Sequence, residues 1–263
     1  MARKKVEFDA QKEIKKICDW IKNYFVKNGP GCPAVIGISG GKDSTVAAML
    51  LVKALGPERV VGVMMPEGNQ SDIKDSIFIC EQLGINAVTV NIEKVTSALY
   101  NALEHGGTTS TLPMIRTNTP ARIRMSVLYA IAAEWHGRVV NTCNYSEDYV
   151  GYSTKYGDLA GDFSILKNYV VREVKAIGYE LCKEFPEIGT CYIDKTPADG
   201  MCGKSDEDNL GFSYETLDAY IRDKITPDYD TYLNIETRHK RNIHKDCIRL
   251  PAPSGPDMEV WSF

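Results

Sequence analysis

Apolar positions along this chain alternate between two periods. Ile14, Ile17, Cys18, Ile21 and Phe25 recur at helical spacing on one face, with Asp9 placed to cap the helix and Gly29 to end it near Asn28. A continuous apolar run from Ala34 to Ser39 reads as a buried strand, followed by a glycine turn and a helix from about Thr45 to Leu55. Gly56-Pro57 breaks that helix. "RVVGVMM" and "NAVTVNI" read as further strands, "DIKDSIFICEQLG" and "EKVTSALYNALE" as the helices after them, and "RVVNT" from Arg138 as a fourth strand. This alternation predicts an α/β fold, a parallel sheet flanked by helices on both faces.

The remaining chain is less regular. His105 to Thr117 has no clear period, and Thr119-Pro120 reads as the N-cap and first-turn proline of a helix running to about His136. That helix carries Ile123, Val127, Tyr129, Ile131 and Trp135, more apolar positions than one buried face needs. Helices are expected near Tyr169 to Phe185, Ser213 to Arg222 and Asp228 to Arg241, before an extended tail. Between them lie two polar stretches, Asn144 to Asp162 and "DKTPADGMCGKSDEDN". Irregular segments of that length in a folded domain usually serve function. With 263 residues and no linker, repeat or low-complexity segment, one domain spanning 1–263 is expected.

Composition removes several classes. The net charge is −4, from 31 basic and 35 acidic residues, so no overall field favours nucleic acid. No apolar stretch approaches the ~18 residues of a membrane span, and "MARKKVEFDAQKEIKK" lacks the apolar core of a secretory leader. The eight cysteines, at 18, 32, 80, 143, 182, 191, 202 and 247, form no C-x-x-C pair. They read as reduced thiols of a cytoplasmic protein rather than disulfides or a zinc site.

The chemistry concentrates in "VIGISGGKDSTVAAML", Val35 to Leu50. A buried strand that passes through two glycines into a helix leaves backbone N–H groups aimed at whatever sits there, and favours an anion. Gly37-x-x-x-Gly41-Lys42 is one residue short of the Walker pattern, and Asp43 separates its lysine from Ser44; G-x-G-x-x-G is absent. What remains is S-G-G-x-D-S. It resembles the pyrophosphate loop of the ATP pyrophosphatase superfamily, whose members cut ATP between the α and β phosphates and share an adenine-nucleotide alpha-hydrolase-like (Rossmann-like) fold.

Four further segments resemble one branch of that superfamily. They are "NTPARIRM" from Asn118, "NTCNYSEDYVGYSTKYGDLAGDFSIL" from Asn141, "KTPADG" followed by "SDEDNLGFSYETLD", and "RHKR" at Arg238 to Arg241. In this order they resemble bacterial ammonia-dependent NAD synthetases from Val35 to Arg241. The resemblance implies amidation of deamido-NAD by ammonia, with ATP as co-substrate, Mg²⁺ as cofactor, and a homodimer holding the dinucleotide near its interface. It implies that Gly37, Ser39, Gly40, Gly41, Lys42, Asp43, Ser44 and Thr142 bind ATP, and that Asp43 and Glu147 hold Mg²⁺. Arg122, Lys155, Asp162, His239 and Lys240 would contact deamido-NAD, with Asp43, Lys155 and Asp162 as the catalytic set. Neither a nucleic acid nor a membrane partner is implied.

Two positions depart from the pattern. Val171 stands where many relatives carry a lysine that reaches ATP, and Pro197 where they often carry Ser or Thr. No glutaminase module is expected either, because the nearest elbow, Gly200-Met201-Cys202-Gly203, has its second glycine one residue early.

Overall fold

Asp9 accepts a hydrogen bond from the Lys12 amide at 3.0 Å and opens α1 (Ala10–Asn28), which Gly29 closes. The computed structural model describes residues 8–70, 73–109, 111–195, 205–245 and 250–256. Pro197 and Cys202, singled out above, lie outside them, as does Cys247. Among the described residues, five short strands follow the order of the chain: β1 (Ala34–Gly37), β2 (Val60–Met64), β3 (Asn86–Thr89), β4 (Arg138–Asn141) and β5 (Phe163–Ser164). All pair in parallel, in the order β3-β2-β1-β4-β5. The expected α/β architecture is therefore present.

Helices α2 (Lys42–Leu55), α3 (Ile73–Leu83), α4 (Glu93–His105), α5 (Pro113–Glu134), α6 (Tyr145–Tyr149) and α7 (Val171–Leu181) link or follow the strands. The short α8 (Cys191–Asp194), α9 (Asp206–Leu210) and α10 (Tyr214–Asp218) come next, then α11 (Tyr229–Asn242). Alternation along the strands divides the core. Ala34, Ile36, Val60 and Val140 face a cluster with Ile17, Phe25, Leu50 and Ile177 of α1, α2 and α7. Val35, Val61, Val63 and Val139 face Met125, Leu128 and Ala132 of α5. Each large side chain fully buried this way contributes roughly 1.5–3 kcal/mol. A smaller cluster, including Val150, Val171, Phe212, Leu217 and Ile235, packs α9, α10 and α11 against the start of α7.

Several boundaries differ from the sequence reading. The helix expected to begin at Thr119-Pro120 begins at Pro113, with Leu112 as its cap, and Pro120 lies inside it. Two prolines suit a first helical position, and the upstream one takes it; Arg122 and Arg124 consequently sit in the middle of α5. The helix after the glycine turn starts at Lys42 rather than Thr45, so that Lys42, Asp43 and Ser44 are themselves its first turn. β5 was not expected at all, because two residues carry no period. Within the Asn144 to Asp162 stretch, α6 is helical.

Candidate active site

The strand order reverses direction between β1 and β4: the chain steps outward through β2 and β3, then returns to the other side of β1. Open parallel sheets bind ligands at such a point, beyond the carboxyl ends of the strands. The two segments that meet there are Ser39 to Ser44, after β1, and Thr142 to Glu147, after β4.

The first segment is a folded cradle. Gly40 has φ of +75°, a left-handed turn that favours glycine. Ser39 Oγ accepts from the Gly41 amide at 3.3 Å and lies 3.1 Å from Ser44 Oγ. Ser44 Oγ and Thr45 Oγ1 both donate to the Gly41 carbonyl, at 3.1 and 2.8 Å. Gly41 itself provides no side-chain cap, and α2 opens directly onto the turn. Gly37 ends β1 just before it, and Thr142 leaves β4 across from it.

A buried charge group joins the two segments. Lys42 is 3% exposed. Its Nζ donates to Asp43 Oδ2 at 2.7 Å and lies 3.9 Å from Glu147 Oε1 and 5.7 Å from the Tyr214 ring centre. Burial opposes the charge on Lys42, but Asp43 and Glu147 outweigh it and hold the ammonium above the ordinary lysine value. Glu147 is pushed well above the usual carboxylate range by burial and by the Asp43 charge, with Lys42 offsetting only part. One ammonium among these acids leaves the group short of positive charge, and hard carboxylate oxygens suit a divalent cation such as Mg²⁺. Among the described residues no three His, Cys, Asp or Glu side chains form a ready cage. Two carboxylates completed by phosphate oxygens match the way Mg²⁺ is usually held.

Asn144, which the sequence reading passed over, couples the halves. Its Nδ2 donates to Asp43 Oδ1 at 3.1 Å, and its Oδ1 accepts from the Glu147 amide at 3.1 Å, capping α6. The signal for it was local: an Asn three residues before Glu147 is an N-cap pattern. Asn144→Ala is expected to cost about 1 kcal/mol of stability in urea unfolding and to lower turnover at unchanged Mg²⁺. Unaltered turnover would separate this link from the chemistry. Asp206, 6% exposed, was also missed; its carboxylate accepts from Tyr152 at 3.1 Å and Tyr214 at 3.4 Å, near Glu147.

Arg122 and Lys155 come together in a second group. Arg122 Nε donates to the Lys155 carbonyl at 3.2 Å, and Lys155 Nζ to the His244 carbonyl at 2.9 Å. Lys245 donates to the Gly151 and Ser153 carbonyls at 2.5 and 2.8 Å and ties the same loop to the end of α11. His239 stacks on Tyr149, ring centres 4.2 Å apart, with Nδ1 2.8 Å from the Tyr149 carbonyl. Lys240 projects into solvent, 3.8 Å from Glu236.

Asp162 is not brought to the glycine turn. Its Oδ2 accepts from the Val139 amide at 2.8 Å and its Oδ1 from Tyr129 at 3.3 Å. Val139 is level with Val35, four residues before Ser39, so Asp162 stands about 13 Å back along the strand direction at ~3.3 Å per residue.

The NAD synthase family matches residues 13–248 of this chain. An NH(3)-dependent NAD(+) synthetase from Thermococcus kodakarensis is 37% identical over 264 aligned residues, covering 95% of this chain and 98% of its own. Among solved structures, an NMN synthetase from Francisella tularensis superposes with a TM-score of 0.82 at 32% identity, covering 93% of this chain and 98% of that one. An NH3-dependent NAD synthetase from Campylobacter jejuni gives a TM-score of 0.70 at 28% identity, covering 96% of this chain and 100% of that one. The similarity therefore extends to an archaeal relative and is not particular to bacterial enzymes.

Proposed function

The chain belongs to the NAD synthase family, and from that premise we propose that it amidates deamido-NAD with ammonia, consuming ATP and releasing NAD, AMP and pyrophosphate. The observation that carries this is the Asn144 bridge, which joins the glycine turn to Glu147 across the reversal of the sheet. The turn and first turn of α2 receive the phosphates of ATP, and Thr142 lies beside the nucleotide. Asp43 and Glu147 hold Mg²⁺, which offsets the charge of the departing pyrophosphate. The substrate carboxylate attacks the α-phosphorus, the α–β bridging bond breaks, and an acyl-adenylate forms. Ammonia then adds to the acyl carbon, AMP leaves with its bonding pair, and the ammonium nitrogen loses its extra proton. Positioning and exclusion of water supply most of the rate in such a site.

Arg122, Lys155, His239 and Lys240 are assigned to the anionic and aromatic parts of deamido-NAD, and Asp162 to its hydroxyl or amine groups, away from adenylation. Two copies pair through α5. Of the apolar positions named above, Tyr129 and Trp135 are 40% and 38% exposed, whereas Ile123 is buried. Light scattering is expected to give twice the 29.3 kDa of one chain; a monomer mass would refute the pairing. No helix of the described residues is long and apolar enough to cross a membrane, and cytoplasmic action fits the substrates.

The test is a coupled NAD-formation assay with deamido-NAD, ATP and Mg²⁺, supplied with either ammonium or ammonia-free glutamine. Ammonium alone is expected to support turnover; comparable rates from glutamine would overturn the nitrogen assignment. A second reading, amidation of nicotinate mononucleotide, is favoured by the higher TM-score to the Francisella NMN synthetase. Exchanging deamido-NAD for the mononucleotide in the same assay decides between them by kcat/KM.

A further inference from the structure

α8 is fixed on three sides, among α2, α3 and α7. Gly178 of α7 makes room for it: a Cβ there would lie 2.8 Å from Ile193 Cδ1 and 2.9 Å from Val46 Cγ2. Ile193 is thereby pressed toward Val46, just after the first turn of α2. Tyr192 stacks on Phe78 of α3 with ring centres 5.9 Å apart, and Tyr179 of α7 donates to Asp194 Oδ1 at 2.6 Å. The residue that leaves α8 is Lys195, whose Nζ donates to Asp75 Oδ2 at 2.7 Å. Asp75 stands against the turn itself, its Cβ only 2.9 Å from where a Cβ on Gly40 would be. A cation thus waits one carboxylate away from the backbone that receives phosphate.

We infer that Lys195 is a polyphosphate-binding residue, held by Asp75 until ATP occupies the turn at Gly40. The inference rests on the ATP-dependent reading above. The lysine and aspartate side chains are 36% and 37% exposed, and a pair so open to water contributes little to stability. Exchanging Asp75 for a phosphate is therefore cheap for the lysine, while the phosphate offers more charge and more acceptor oxygens. Asp75, by contrast, is a like charge beside the incoming anion. The same exchange moves Lys195 from neutralising the carboxylate to neutralising the phosphates. Val171, buried at the start of α7 with its amide bonded to Ser146, supplies no charge to that task.

The two partners make opposite predictions. Lys195→Ala is expected to raise the KM for ATP and weaken pyrophosphate binding about tenfold or more, with the ammonia KM unchanged and Lys195→Arg restoring most of the loss. Asp75→Asn is expected to leave ATP binding unchanged or tighter. Calorimetric titration with ATP and with pyrophosphate reads both, and thermal melts confirm folded protein. Equal losses in Lys195→Ala and Asp75→Asn would make the pair a structural tie and overturn the inference. An unchanged ATP KM in Lys195→Ala would overturn it equally, leaving the ATP-dependent function standing. Wild-type protein that binds neither ATP nor pyrophosphate would remove the function and the inference together.

Discussion

Asp43→Asn is expected to lower AMP formation by about a hundred- to a thousandfold, the loss typical when a group stabilising transition-state charge is removed from an enclosed site. The fold is expected to survive. The amide keeps an oxygen for Asn144 Nδ2, which lies 3.1 Å from Asp43 Oδ1. Glu147, whose carboxyl the Asp43 charge helps push up, loses that repulsion and remains as the acid facing Lys42, already 3.9 Å away. Lys42 thus keeps an acid partner without Asp43, while the Mg²⁺ proposed above would lose one of its two protein carboxylates. A single-turnover measurement of AMP release, beside a thermal melt, tests this. Wild-type turnover at ordinary Mg²⁺ would show that Asp43 has no part in the chemistry.

Arg222→Met carries the largest expected loss of stability. Arg222 Nε and Nη2 donate to the two oxygens of Glu173 at 2.8 and 2.9 Å, and Nη2 also donates to the Asn168 carbonyl at 2.5 Å. Glu173 Oε2 accepts from the Val170 amide at 2.9 Å as well, at the start of α7. The two side chains are 11% and 7% exposed. Removing the guanidinium strands a buried carboxylate, which costs about 3–5 kcal/mol. Urea unfolding measures it directly. Adding Glu173→Gln is expected to recover part of the loss, because the stranded charge is removed with it. A single-variant cost below about 1 kcal/mol would mean that water reaches the pair and that its geometry contributes little.

What the chain discloses before folding depends on whether the deciding interactions are local. β1, its glycine turn and α2 are legible because an apolar run, two glycines and a helical period succeed one another within Val35 to Leu50. β5 is not, because Phe163 and Ser164 become a strand only by pairing with Val140 and Asn141. The start of α5 is ambiguous because both Pro113 and Pro120 suit a first turn, and the helix begins at the upstream one. The acids of the site can be named from motifs. Their relation to Lys42 cannot, since the 3.9 Å approach of Glu147 depends on α6 crossing to α2. Asp162 shows the converse: the motif nominates it, while its bond to the Val139 amide sets it back from the turn.

α6 is five residues long, yet three successive side chains on it answer to three different parts of the molecule. Ser146 donates to Asp218 of α10 at 2.5 Å, Glu147 approaches Lys42 of α2, and Asp148 accepts from Ser153 of the following loop at 3.2 Å. Successive residues of a helix point about 100° apart, so the order Ser-Glu-Asp encodes three bearings at once. Deleting Tyr145 or Ser146 would shift every following bearing by that angle, aiming Glu147 at the Asp218 carboxylate and leaving the shorter Asp148 toward Lys42. Insertions and deletions that a surface loop absorbs without consequence are therefore forbidden between Asn144 and Tyr149. In a library of length variants, this is where survivors should be missing even though point substitutions at Tyr145 and Tyr149 still yield folded protein.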